Sequence, residues 1–320
     1  MKVLLIIVFI FILNINLDAQ KTARIGAKIY GYDGNTVDFE FVEDASNNMT
    51  FPYKEAQMMD YVVELKEPCL LKINSWVWIV LCPGDDIEVD IKYQGRVYEH
   101  AEFKGTSSAV LLNSAISDGS LIRLKDRYRL NPLAAVITKV MPTDYHTATL
   151  RNWGKEKALL EAVRAQVNPE AYSYIYAEME GVYLSNLVNY PFMAAAIRHQ
   201  DLKNIVPDGF WMVLDGYKIK EDKASLRSVS YVNWLVEYAK FEAKRQDFIS
   251  GKEIKEIANV ESVYELLSTF YDGALRDTVL YNFLTQLIAS GKYGTIITPL
   301  VDDYLRKYNR NKVYRKELRK

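Results

Sequence analysis

Cysteine is nearly absent from this chain: Cys69 and Cys82 are the only two in 320 residues. They are not spaced as Cys-x-x-Cys and no cysteine follows Cys82, so no dithiol redox motif is present. Histidine is almost as scarce. His100, His146 and His199 match no metal-ligand spacing, and no metal site can be written from them. The 15 glycines never group into a phosphate-binding loop, and no Gly-x-Ser-x-Gly elbow surrounds a serine. No cofactor and no catalytic constellation follows from these residues. Neither sign of charge is in excess: 40 Lys and Arg stand against 41 Asp and Glu, a net charge of −1. After residue 19 no apolar run nears the roughly 20 residues that a membrane-spanning helix needs.

The N-terminus is the most informative segment. Lys2 is followed by eleven unbroken apolar residues, 3–13, then by polar Asn14 and Asn16 and by small Ala19. A basic start, a short apolar run and a small residue at the exit form the layout of a secretory signal, with cleavage expected after Ala19. The chain is therefore expected to be exported.

The rest divides into two parts with different periodicity. Residues 20–105 read as a small antiparallel β-sandwich. Residues 37–42 and 86–91 alternate apolar and polar, the period of a half-buried strand. Further strands are expected at 27–30, 61–65, 69–73, 77–81 and 101–105, with 44–50 left as a polar loop. Residues 106–320 read as an all-α helical array, which makes the fold class α+β. Asn168-Pro169-Glu170 is a helix start, and that helix is expected to reach 189, before Pro191. Ser290-Gly291 is a helix stop. The border falls at Gly105-Thr106-Ser107.

Charge is unevenly spread across that border. Residues 20–105 hold 15 acidic and 9 basic side chains, whereas 304–320 hold eight Lys or Arg against Glu317. No aromatic stacking platform is interleaved with the basic tail, so it reads as the solvated end of a last helix and not as a nucleic-acid site.

Two residue groups are candidates for a role. If the 69–73 and 77–81 strands turn at Ser75-Trp76, Cys69 lies opposite Cys82, within reach of a structural disulfide. A turn centred on Asn74-Ser75 separates them, leaving two small buried side chains. Tyr176, Tyr183 and Tyr190 follow one another at seven-residue spacing near one helix face. They fit either an aromatic ligand groove or a helix–helix seam. Glu178 and Glu180 point to different helix faces and make a poor acid–base pair.

Leu81-Cys82-Pro83-Gly84-Asp85 followed by Ile87-Glu88-Val89, with Glu102-Phe103-Lys104-Gly105 leading into a helix, resembles a known pattern. It is similar to the N-terminal accessory region of exported thioredoxin-like thiol–disulfide oxidoreductases of Bacteroidetes, the group related to TlpA and ResA. The resemblance implies a β domain plus a helical segment, located in the periplasm or cell envelope of a Gram-negative bacterium. The family's thioredoxin domain and its Trp-Cys-x-x-Cys are missing, so its catalysis does not carry over. A non-catalytic binding or scaffolding protein with a protein or peptide partner is expected. The alternative is the accessory portion of a redox system whose catalytic domain is separate or lost.

Overall fold

A computed structural model describes residues 21–125, 136–254, 256–257, 259–291 and 294–319. The expected signal segment, 1–19, lies outside the described residues.

Eight strands precede the helices: β1 Lys21–Tyr32, β2 Thr36–Phe41, β3 Met49–Pro52, β4 Met59–Leu65, β5 Cys69–Ile73, β6 Val77–Leu81, β7 Asp86–Gly95 and β8 Val97–Gly105. They form two four-stranded sheets, ordered β4-β1-β7-β8 and β3-β2-β5-β6. The second sheet is antiparallel throughout. The first is mixed, because β1 and β7 run parallel, Ile25 beside Ile87 and Ile29 beside Ile91. This corrects the expected all-antiparallel sandwich. Two strands joined by a long excursion through the other sheet need not alternate in direction, and alternation of side chains does not reveal direction. β3 falls partly on the segment expected to be a loop; Met49 to Pro52 pair with Phe39 to Thr36 of β2.

One apolar core is shared by the two sheets. Ile25, Ile29, Ile87 and Ile91 of the mixed sheet meet Phe39, Leu71, Ile73 and Ile79 of the antiparallel sheet. Pro83-Gly84-Asp85 carries the chain from one sheet to the other. The Cys82 N–H donates to the Asp85 carboxylate at 2.7 Å, and Gly84 takes φ +91°, a region that glycine enters without steric cost.

Eight helices follow among the described residues: α1 Ser107–Lys125, α2 Pro142–Val163, α3 Pro169–Arg198, α4 Val229–Ile249, α5 Val260–Phe270, α6 Gly273–Ser290, α7 Gly294–Lys307 and α8 Lys312–Glu317. The expected caps are present. Asn168 accepts from the Glu170 and Ala171 amides at the start of α3, and Gly291 closes α6 in the left-handed region. α3 does not end at 189. It continues through Pro191 to Arg198. Tyr190 and Ala194 flank the proline and are both buried against Ile137, Val140 and Tyr145. That packing outweighs the roughly 3 kcal/mol that an interior proline costs a helix.

The sheets and helices are not merely tethered. Leu70 and Val80, on the outer face of the β5–β6 hairpin, pack with Leu112 and Ile116 of α1 and Tyr174, Ile175 and Met179 of α3. β6 is an edge strand, and α1 closes part of that edge. The Val80 N–H donates to Asn113 Oδ1 at 2.8 Å, while Asn113 Nδ2 donates to the Val80 carbonyl at 3.0 Å. One buried amide side chain thereby satisfies both edge groups of Val80.

Candidate functional site

The hairpin register decides the fate of the two cysteines. Ile73 pairs with Val77 and Cys69 with Leu81, so the turn takes in Asn74, Ser75 and Trp76. The offset from the disulfide register is one residue. In a strand that moves a side chain to the opposite face. Cys69 points into the sheet–sheet core, and Cys82 packs against the helices. Both are free thiols, the arrangement expected of the alternative turn and not of the bridge. Burial pushes both thiols up, Cys82 to about 12.

The same turn builds the most chemically varied hollow in the molecule. Asn74 and Ser75 both sit at positive φ, +49° and +61°. Asn74 tolerates this because its Oδ1 accepts from the Asp38 N–H at 2.9 Å and its own N–H donates to the Asp38 carbonyl. Ser75 has no such backbone tie, and a left-handed non-glycine residue stores about 1 kcal/mol of strain. The strained tip projects Trp76, which is 45% exposed. Below it, between the hairpin, α1, α3 and the start of α4, lies a cavity of about 460 Å³.

Each wall contributes a different chemistry. From the hairpin, Lys72 places its ammonium 4.6 Å from the centre of the Trp78 ring. Lys72 and Trp78 are cross-strand partners, which fixes this approach. Glu40 is the partner of Lys72 on β2, yet Lys72 makes no ion pair with it or with any other described residue. From α1, the Arg123 guanidinium lies 5.4 Å from the same indole. It donates to Ser120 and is ion-paired with Glu156 of α2. Glu156 is fully buried and also accepts from Tyr183 Oη. Burial raises its carboxyl to about 6, against the pull of Arg123.

The floor belongs to α3 and α4. Glu178 accepts from Ser228 Oγ at 2.8 Å, Ser230 Oγ at 2.6 Å and the Ser230 N–H at 3.1 Å. Gly181 makes this arrangement possible: a Cβ there would lie 2.6 Å from the Tyr231 amide nitrogen, and closer to the Ser230 carbonyl. The two helices touch backbone to backbone at that point.

The tyrosine stripe lies in the seam between α2 and α3, all three rings buried. Tyr190 stacks on Tyr145 at 3.7 Å, Tyr176 meets Trp153 edge-on, and Tyr183 reaches the cavity wall. Glu180 pairs with Lys220 and stands apart from Glu178. His100 pairs with Glu102, His146 is half-buried, and His199 caps α3. No cluster of three potential metal ligands occurs among the described residues. A larger hollow of about 650 Å³ opens between α6, α7 and α8. Its Arg306 and Arg315 are already engaged, by Asp303 and by Asn309 with the Leu305 carbonyl.

Sequence reasoning did not single out Lys72, Trp76, Trp78 or Arg123. A signal was present: two tryptophans bracket Val77 just after a turn, where a strand with one buried face has no packing need for both. Compared with family models, curated proteins and solved structures, the chain matches none. No described helix is long and apolar enough to cross a membrane.

Proposed function

We propose that this chain is an exported, non-catalytic binding module that holds a protein or peptide partner in the cleft between its β region and its helical array. The observation that carries the reading is Lys72, a cation with no ion-pair partner among the described residues, held against Trp78 beside exposed Trp76. A folded protein gains little from leaving such a group unneutralised in a hollow; a ligand that brings an anion and apolar surface gains from both. The volume lies within the range of ligand sites. The cleft's hydroxyls argue for holding and not transforming a ligand. Ser230 donates directly to the Glu178 carboxylate, with no histidine on the cavity wall to activate it. The buried, raised thiols give no support to disulfide exchange by this chain alone.

The test is site-specific photo-crosslinking in envelope extract. A crosslinker at position 76 is expected to trap species that one at position 62 does not. Val62 is well exposed and lies on the distant edge strand β4, so it samples non-specific contact. Identical products from both positions, or none at position 76, refute the reading.

A further inference from the structure

The hollow between α6, α7 and α8 shares no lining residue with the cleft. Its floor is apolar. Ile297 is buried, Val301, Leu305 and Leu318 are half-buried, and Ile288 is 47% exposed. At about 650 Å³ the hollow lies within the range of ligand sites. Its basic side is held in place by a buried carboxylate. Asp277 of α6 is 3% exposed and accepts from the Arg310 N–H at 2.8 Å, the Asn311 N–H at 2.9 Å and Tyr304 Oη, which fixes the turn from α7 into α8. That turn carries Asn309, whose Oδ1 accepts from Arg315 Nε at 3.0 Å, while Arg315 Nη2 donates to the Leu305 carbonyl at 2.9 Å. Both acceptors are neutral. They orient the guanidinium without neutralising it, and no described residue accepts from its Nη1. Arg306 differs, being ion-paired with Asp303. Arg319 also lines the hollow, is exposed, and has no ion-pair partner among the described residues. The lining holds one carboxylate, Asp302, which pairs with neither Arg315 nor Arg319.

We propose that this hollow binds a single-chain amphiphilic anion, its hydrocarbon chain along Ile297, Val301 and Leu305 and its anionic head at Arg315 and Arg319. The proposal is independent of the cleft and of the binding-module reading. A neutral apolar ligand leaves the Arg315 charge unanswered, and a small anion leaves the floor wet; an amphiphilic anion satisfies both. The guanidinium is oriented before a ligand arrives, which lowers the ordering cost of binding. Residues 304–320, with eight Lys or Arg against Glu317, add a field that draws anions to this end of the molecule. A protein partner fits less well. A stable protein interface takes about 800 Å² from each side. Here the apolar surface lies inside the hollow, and Ile288 is the only lining residue among the exposed large apolar side chains.

The experiment is isothermal titration calorimetry on the purified chain with decanoate, decanol, decyltrimethylammonium and acetate, and in a separate arm with phosphatidylglycerol vesicles. Decanoate is expected to bind at least roughly tenfold more tightly than decanol, the scale of a charge-assisted hydrogen bond, and acetate not measurably. Arg315→Gln is expected to bring decanoate down to the decanol level. Arg315 also ties α8 to α7, so two variants at exposed positions keep the test independent of folding. Arg319→Gln should weaken decanoate roughly two- to fivefold, the scale of an exposed ion pair, and Ile288→Glu should abolish its advantage over decanol, both with an unchanged urea midpoint. Vesicle binding that decanoate displaces identifies the ligand as a membrane lipid; decanoate binding without vesicle binding identifies a free amphiphile. Equal binding of decanoate and decanol, acetate binding as tight as decanoate, a preference for decyltrimethylammonium, or no decanoate binding overturns the proposal. Decanoate binding that none of the three substitutions alters lies elsewhere and overturns it too. Vesicle binding without decanoate binding assigns the cations to a membrane surface and leaves the hollow without a ligand.

Discussion

The same substitution, glycine to alanine, is expected to have opposite signs at two helical positions. Gly154 lies on the exposed side of α2, and a Cβ built there meets nothing within 4 Å. Alanine gains helix propensity and restricts the unfolded chain, so Gly154→Ala is expected to stabilise by about 0.5–1 kcal/mol. Gly181 in α3 carries the same propensity gain, but its Cβ would press on the Ser230 carbonyl and the Tyr231 amide, 2.6 Å away. Those atoms are backbone and cannot rotate aside. Overpacking of this kind costs about 1–3 kcal/mol, and a backbone obstacle places it at the upper end. After subtracting the propensity gain, Gly181→Ala is expected to destabilise by about 2 kcal/mol. It also displaces Ser230 from Glu178, so binding at the cleft should weaken along with stability. Urea unfolding of wild type and both variants measures this directly: midpoints should move apart, with slopes unchanged. If Gly181→Ala unfolds at or above the wild-type midpoint, α3 and α4 do not meet backbone to backbone, and the cleft floor is not built on that contact.

Three other perturbations probe the same region. Asn113→Ala should cost about 2–4 kcal/mol, because it strips the buried edge N–H and carbonyl of Val80 of their partners; a loss under about 1 kcal/mol in urea unfolding counts against that edge closure. Glu156 should make stability fall as pH rises from 4.5 to about 6. Below 4.5 folded and unfolded chains are both protonated; between the two values only the folded state keeps the proton; above 6 the full penalty, about 2 kcal/mol, is present. Glu156→Gln should remove its share of that slope and leave the share of Glu43, which burial raises to about 7; a slope unchanged by the substitution assigns it to other groups. Alkylation under denaturing, non-reducing conditions should modify both Cys69 and Cys82, whereas the native protein should react slowly at neutral pH; a mass that shifts only after reduction restores the disulfide.

Local pattern was legible wherever one residue type has one physical use. Asn168 with Pro169 starts a helix because an amide caps free N–H groups and proline has none to satisfy. Gly291 ends one because it alone enters the left-handed region cheaply. The strands at 69–73 and 77–81 were legible to the residue, but two turns between them stayed open, and the one-residue difference decides between opposed and separated thiols. Pro191 looked like a stop because its penalty is local, while the burial that outweighs it comes from residues around 137–145.

By itself the sequence determined that a strand-rich region precedes a helical one, since period 2 and period 3.6 are written into neighbouring residues. It also determined what chemistry is absent, since no arrangement of two buried-type cysteines and three scattered histidines supplies a dithiol motif. Tertiary structure alone decided that β1 and β7 run parallel, that Asn113 of α1 closes the edge at Val80, and that Arg123 of α1 reaches the Trp78 ring. These contacts join residues 33 or more positions apart. Burial energy depends on the whole chain's packing, so no window of sequence contains them.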